Sequence, residues 1–202
     1  NYVRNNPVVI LILLSTLVNG LLGRSFIELL PAVSGLLLMG GASELAWLTA
    51  AAGTGAVLGG LLMSRQAAHV MGLYRLILVA LLGATLLLAT LNWLDALISL
   101  AVVVGLITFT TTIAGTGCQA LTQLLIDPNY HGRVMSLWSM TMMASPALGA
   151  ATNGALAEWA GFVTTFAVAS ALGVLAVLAL YARRRVVSDF APEAIATTSD
   201  SR

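Results

Sequence analysis

The sequence predicts an all-α, polytopic membrane protein of six helices. Three observations carry this. Hydrophobic residues fill 59% of the 202 positions and charged residues only 8%, against roughly 25% charged in a soluble domain. The apolar residues gather in six long runs, at about 8–30, 45–63, 76–91, 96–125, 134–157 and 162–182. Arginine occupies alternate connections between those runs. The run Val134–Ala157 covers ~36 Å as a helix at ~1.5 Å per residue, enough to cross a ~30 Å hydrocarbon core with some tilt.

The arginines set the orientation. All 9 basic residues are arginine. With the N-terminus placed in the cytoplasm, the inside segments hold Arg4, Arg65, Arg75, Arg133 and Arg183–Arg185. The outside turns hold Glu44, Asp95 and Glu158 and no basic residue. Positive charge retained on one side predicts both chain ends inside. The net charge of +1 is scattered among spans, so a nucleic-acid partner is not expected; the expected surroundings are a lipid bilayer. The single cysteine, Cys118, excludes an intrachain disulfide and a cysteine-based zinc site. Neither metal nor cofactor is expected. Because the chain starts at Asn1 rather than Met, it reads as a piece of a longer protein.

Each element has its own signals. Residues 1–6 form a polar lead, and Pro7 suits the first turn of a helix. The first span, 8–30, is apolar in its first half, but its second half holds Asn19, Gly20, Gly23, Arg24 and Glu28. Pro31–Ser43 reads as an exit loop with a short apolar excursion. The second span is rich in Ala and Gly, and Gly55 and Gly59 form a GxxxG pair that Ala51 extends by a turn. Ser64–Arg75 reads as a connector. The third span is the most uniformly apolar, which predicts the greatest lipid exposure. Asn92–Asp95 is a turn with an interfacial Trp93, and Asp127–Tyr130 breaks the chain before the fifth span. Ser136, Ser139, Ser145, Pro146, Gly149, Asn153 and Gly154 interrupt that span, and such residues belong against protein or a cavity. Residues 186–202 read as a disordered polar tail.

Several residues are candidates for function. Arg24 and Glu28 lie four apart, so they share a helix face and can pair. Intramembrane ionisable groups are functional candidates by default; a structural ion pair near the interface is the alternative. On the fourth span Thr108, Thr112, Thr116, Gln119 and Gln123 share one face, as a hydrated substrate cavity requires. The alternative is that the threonine hydroxyls bond back to their own helix. Met135, Met140, Met142 and Met143 cluster on the fifth span, where flexible thioethers accept varied ligands or simply pack. His69 and His131 fall at inside helix ends.

Two motifs carry a resemblance. Gly59-Gly60-Leu61-Leu62-Met63-Ser64-Arg65 resembles the inside loop motif of the major facilitator superfamily, with Ser64 where that family usually has Asp. His131–Leu137, Pro146–Gly149 and Gly154–Glu158 resemble the eleventh helix of these carriers, closest to the bacterial enterobactin-exporter-like branch. The resemblance implies that the six spans are helices seven to twelve of a twelve-helix carrier, arranged as a three-plus-three inverted repeat. It implies proton-coupled secondary export of a small molecule across a bacterial inner membrane. It places Asn19, Met140, Met143 and the Thr/Gln face on the substrate cavity. Gly60, Ser64, Arg65 and Arg133 would then form an inside gate, and the partner would be an N-terminal six-helix half or a second copy.

Other classes have less support. An intramembrane protease needs a nucleophile beside a base, yet GxSxG and HExxH are absent and both histidines lie at span ends. No GxxxxGK[ST] loop is present to bind ATP. An enzyme is therefore not expected; a six-helix channel or non-transporting scaffold is the remaining alternative.

Overall fold

The computed structural model describes residues 3, 6–37, 41–65, 70–94, 96–126 and 129–187, and these are overwhelmingly helical. Asn6 starts the first helix: its side-chain oxygen accepts from the Val8 and Val9 amides at 3.1 and 3.4 Å. Pro7 follows, where its missing N–H has no helical partner to lose. Helix α1 is Pro7–Val18, after which the chain makes a π-helical turn over Asn19–Arg24 and resumes as α2, Ser25–Glu28. Helix α3 is Leu30–Leu37, α4 is Ala42–Ser64, and α5 is Val70–Thr90 with a 3₁₀ turn at Leu91–Trp93. Helices α6, Leu97–Leu125, α7, His131–Ala160, and α8, Phe162–Ala182, complete the bundle. Gly161 alone separates the last two; at φ 82° it takes a backbone conformation that side-chain-bearing residues rarely adopt.

Among the described residues, five helical segments are long and apolar enough to cross a membrane: Pro7–Glu28, Ala42–Ser64, Val70–Trp93, Leu97–Leu125 and Phe162–Ala182. Helix α7 has 30 residues, but its serines, threonines, glycines and Pro146 keep it short of that apolarity. The expected count of six therefore rests, for α7, on length rather than composition.

Two cores close the bundle at its two ends. One contains Val8, Leu11, Leu73, Tyr74, Ile77, Cys118, Leu121, Leu180 and Val187. The other contains Phe26, Leu30, Leu48, Leu88, Leu100, Val104 and Phe166. Starts and ends of successive long helices alternate between these clusters, so the helices run up and down. Val8 and Val187 share one core, which brings the two ends of the described chain to the same side. Met63, Val70 and Met71 pack on that core, and Val134 joins Val9 in a small cluster nearby. Arg65, Arg75, Arg133 and Arg183 therefore gather at one end, as the charge pattern predicts. Arg4, His69 and Asp95 lie outside the described residues, as does all of the expected tail beyond Val187.

Three expectations need correction. The stretch read as an exit loop forms α3 over Leu30–Leu37, because Pro31 falls in a first helical turn, which needs no proline N–H. The connector at Ser64–Arg75 is shorter than expected, since α5 begins at Val70 and takes Arg75 into its first turns. The most uniformly apolar span is not the most exposed: 44% of its core window is buried, against 22% for Ala42–Ser64. Helix α5 packs against both α6 and α8, and apolarity alone cannot distinguish a lipid-facing helix from one with protein neighbours.

Candidate functional site

Between the two apolar cores lies a layer of buried polar side chains, including Ser15, Thr16, Asn19, Thr108, Thr111 and Ser145. The π-helical turn organises it. Ser25 donates its backbone N–H to Gly20 O, five residues back, in place of the usual four. The Leu21 carbonyl instead accepts from Ser25 Oγ at 2.6 Å and from Asn153 Nδ2 of α7 at 3.5 Å. Asn153 Nδ2 also donates to Ser25 Oγ at 3.1 Å. Local π geometry of this kind is rare and often marks functional positions.

Glycine lets the turn be reached. A Cβ on Gly20 would strike the Ser145 side chain, and one on Gly23 would lie 2.6 Å from Thr111 Cγ2. Across the seam, a Cβ on Gly149 would collide with the Leu21 carbonyl and lie 2.7 Å from Ser25 Cβ. Helix α7 contributes Pro146 beside these, which has no N–H to offer the Met142 carbonyl one turn earlier. Asn19 sits at the centre, fully buried, donating Nδ2 to the Thr111 carbonyl at 3.1 Å while its Oδ1 has no partner. Ser145 Oγ is likewise buried and unpartnered.

Two cavities flank Arg24. One, of about 280 Å³, is bordered by Arg24, Glu28, Met142, Met143, Pro146, Ala147 and Ala150. The other, of about 260 Å³, is bordered by Arg24, Ile27, Thr49, Ala52, Gly53, Ala56, Thr108, Thr111 and Thr112. Arg24 and Glu28 share the first wall as their spacing requires, yet both are exposed and make no ion pair among the described residues. The guanidinium and carboxylate remain available to something else.

The other sequence-derived candidates divide. Thr108 and Thr112 border the second cavity, and Met143 borders the first. Met140 is 69% exposed but borders neither cavity. Asn19 lies in the interior rather than on a wall, because its amide is drawn into the α6 backbone. Thr116 is half-buried and bonds back to the Thr112 carbonyl at 2.7 Å. Gln119 is half-buried and Gln123 exposed, and neither borders the two cavities. Gly60 and Ser64 belong to the last turns of α4 rather than to a loop, with Ser64 Oγ bonded to the Leu61 carbonyl at 2.9 Å. Arg65 and Arg133 are exposed at the same end of the bundle; the connections beyond them, at 66–69 and 127–128, lie outside the described residues.

Sequence reasoning missed Thr49, Thr111 and Ser25. Asn153 was expected against protein or a cavity, as a polar residue deep in an apolar run, and it meets Leu21 and Ser25. Thr49 and Thr111 become site residues because α4 and α6 are pressed together. Ala51, Gly55 and Gly59 form that seam. A Cβ on Gly55 would collide with the Gly105 carbonyl, and one on Gly59 would lie 2.7 Å from the Phe109 carbonyl.

These features define a multi-pass helical membrane protein with cavities between its helices that carry a few polar side chains. The family model of the Major Facilitator Superfamily matches residues 8–199. The chain belongs to that family, whose members move small molecules across membranes and are not enzymes. Neither the curated proteins nor the solved structures contain a significant match.

Proposed function

We propose that this chain is the C-terminal six-helix half of a proton-coupled secondary exporter, of the enterobactin-exporter-like branch, in a bacterial inner membrane with both ends cytoplasmic. In this reading α7 also crosses the membrane, as the fifth of six spans, and spans one to three and four to six are inverted repeats. Substrate passes the face that bears Arg24, Glu28, Met140 and Met143. A second six-helix half, or a second copy of this chain, lies opposite, because alternating access needs two bundles rocking about one site.

The observation that carries the reading is a charged pair on a cavity wall inside a membrane-crossing helix. Charges at the centre of a span cost roughly 2.5–3.5 kcal/mol on insertion scales; Arg24 and Glu28 lie in the last turns of Pro7–Glu28, without an ion pair among the described residues, and stand open to a use. Met143 at 81% and Met140 at 69% exposure support a partner surface on the same side of α7. Glu28 is the candidate proton carrier. Arg65 and Arg133, with Gly60 and Ser64, are the candidate inside gate.

Everted vesicles carrying the protein, energised and loaded with an acridine dye that reports the proton gradient, test this. A small-molecule panel should contain compounds that discharge the gradient in wild-type vesicles and not in E28Q vesicles. Discharge without any compound would favour the channel. Compound-dependent discharge that survives E28Q would remove Glu28 from coupling.

A further inference from the structure

Arg24 stands between the two cavities, and their walls differ in charge. The 280 Å³ cavity has the Glu28 carboxylate on its wall. The 260 Å³ cavity has no acidic residue; its polar wall is Arg24 with Thr49, Thr108, Thr111 and Thr112. Among the described residues the Arg24 guanidinium has no hydrogen bond or ion pair. A guanidinium carries five donors in a planar fork and no acceptor, so a ligand in contact with it must supply acceptors.

The threonines are not equivalent. Thr49, Thr108 and Thr111 donate their hydroxyls to carbonyls of their own helices, at 2.8, 2.9 and 3.2 Å. Thr112 makes no such bond among the described residues, and its hydroxyl remains a donor. The threonine cavity thus presents one cationic fork and one free O–H, with no carboxylate to repel negative charge. A planar oxyanion head such as a carboxylate accepts from both. At about 260 Å³ the cavity is smaller than the roughly 300–1,000 Å³ of sites that enclose a whole drug-sized ligand. It takes a head group, and the Met142, Met143, Pro146 and Ala147 side of the cavity beyond Arg24, whose wall also carries Glu28, takes an apolar body.

Resting on the transport reading above, we propose that the cargo is an amphipathic organic oxyanion, held by its head at Arg24 and Thr112, with its apolar part along Met142, Met143 and Ala147. Benzoate, benzyl alcohol and benzylamine share a ring and differ in head-group charge, which makes them direct probes. The purified chain in mild detergent is titrated with each while its thermal unfolding midpoint is followed. Benzoate should raise the midpoint, and the neutral and cationic probes should not. Arg24→Gln should weaken the benzoate response about tenfold or more, and Thr112→Val about threefold, while Arg24→Lys should keep part of it.

The proposal is overturned by an absent benzoate response, by an equal response to benzyl alcohol or benzylamine, or by a benzoate response that survives Arg24→Gln. The three-probe comparison on the unaltered chain decides the matter even where a variant misfolds. Benzoate binding, with no compound of the panel discharging a proton gradient, would defeat the transport reading and leave the oxyanion site standing. Gradient discharge by benzylamine that is lost in E28Q vesicles, with no benzoate binding, would do the reverse.

Discussion

The seam between α4 and α6 and the seam between the first span and α7 are both made by glycine, but of different materials. At the first, Ala51, Gly55 and Gly59 bring backbone onto backbone against Gly105, Thr108 and Phe109. Thr108, its main hydroxyl, bonds back to its own helix. At the second, Gly20 and Gly149 bring helices together around a π turn, a proline without an N–H and a bridging Asn153. Two buried polar atoms nearby, Asn19 Oδ1 and Ser145 Oγ, have no partner. A seam of backbone pressed on backbone has few arrangements, although Thr112 beside it keeps a free hydroxyl among the described residues. A seam with spare donors, spare acceptors and an irregular turn has others within reach. The contrast predicts less freedom at α4–α6 than between the first span and α7.

That contrast can be broken by substitution, and the largest effect belongs to the rigid seam. Gly55→Leu must displace the Gly105 backbone and should cost about 3 kcal/mol or more, read as loss of the folded peak on size-exclusion chromatography. A variant that stays folded with an unchanged midpoint would mean this seam is not tight. Gly149→Ala meets the Leu21 carbonyl and should cost about 1–3 kcal/mol. Its transport should fall further than its stability, because the added methyl presses on the π turn; parallel losses would deny that seam a role in movement.

Smaller effects sharpen the picture. Asn19→Ala removes one bond to the Thr111 carbonyl from an amide whose oxygen is already unpartnered, and should cost about 1 kcal/mol in thermal unfolding. A loss near 3 kcal/mol would reveal a further partner for Oδ1. Gly60→Ala is the smallest: nothing lies within 4 Å of the added Cβ. It should be neutral or stabilising by about 0.5–1 kcal/mol. Destabilisation there would show that a partner covers this side of α4.

Much of the architecture was legible because hydrophobic runs and arginine placement are linear properties. Helix identity, the alternation of the bundle and the gathering of Arg65, Arg75, Arg133 and Arg183 at one end follow from them. The small-residue stripe Ala51/Gly55/Gly59 was legible too, since its spacing names a face, though not the helix it meets. The site was legible only in part. Arg24, Glu28, Thr108, Thr112 and Met143 reach the cavities, whereas Asn19 turns inward and Gln119 and Gln123 border neither. Helical spacing says which residues share a face, but a face has no address until its neighbours are in place. The π turn shifts the phase of the first span after Val18, and nothing in a periodic reading anticipates that shift.

The sequence by itself determined the solvent of this chain and the one end of the bundle at which its arginines gather. Its apolar fraction demands lipid, its run lengths demand helices that cross it, and its arginines choose a side, because transfer free energies depend on composition and not on contacts. Only the tertiary structure decided which helix is most enclosed, that Arg24 and Glu28 stand apart, and that Thr49 and Thr111 join Arg24 at one cavity. Those outcomes depend on how closely neighbouring backbones approach, and that distance is set by pairs of surfaces rather than by either strand of sequence alone.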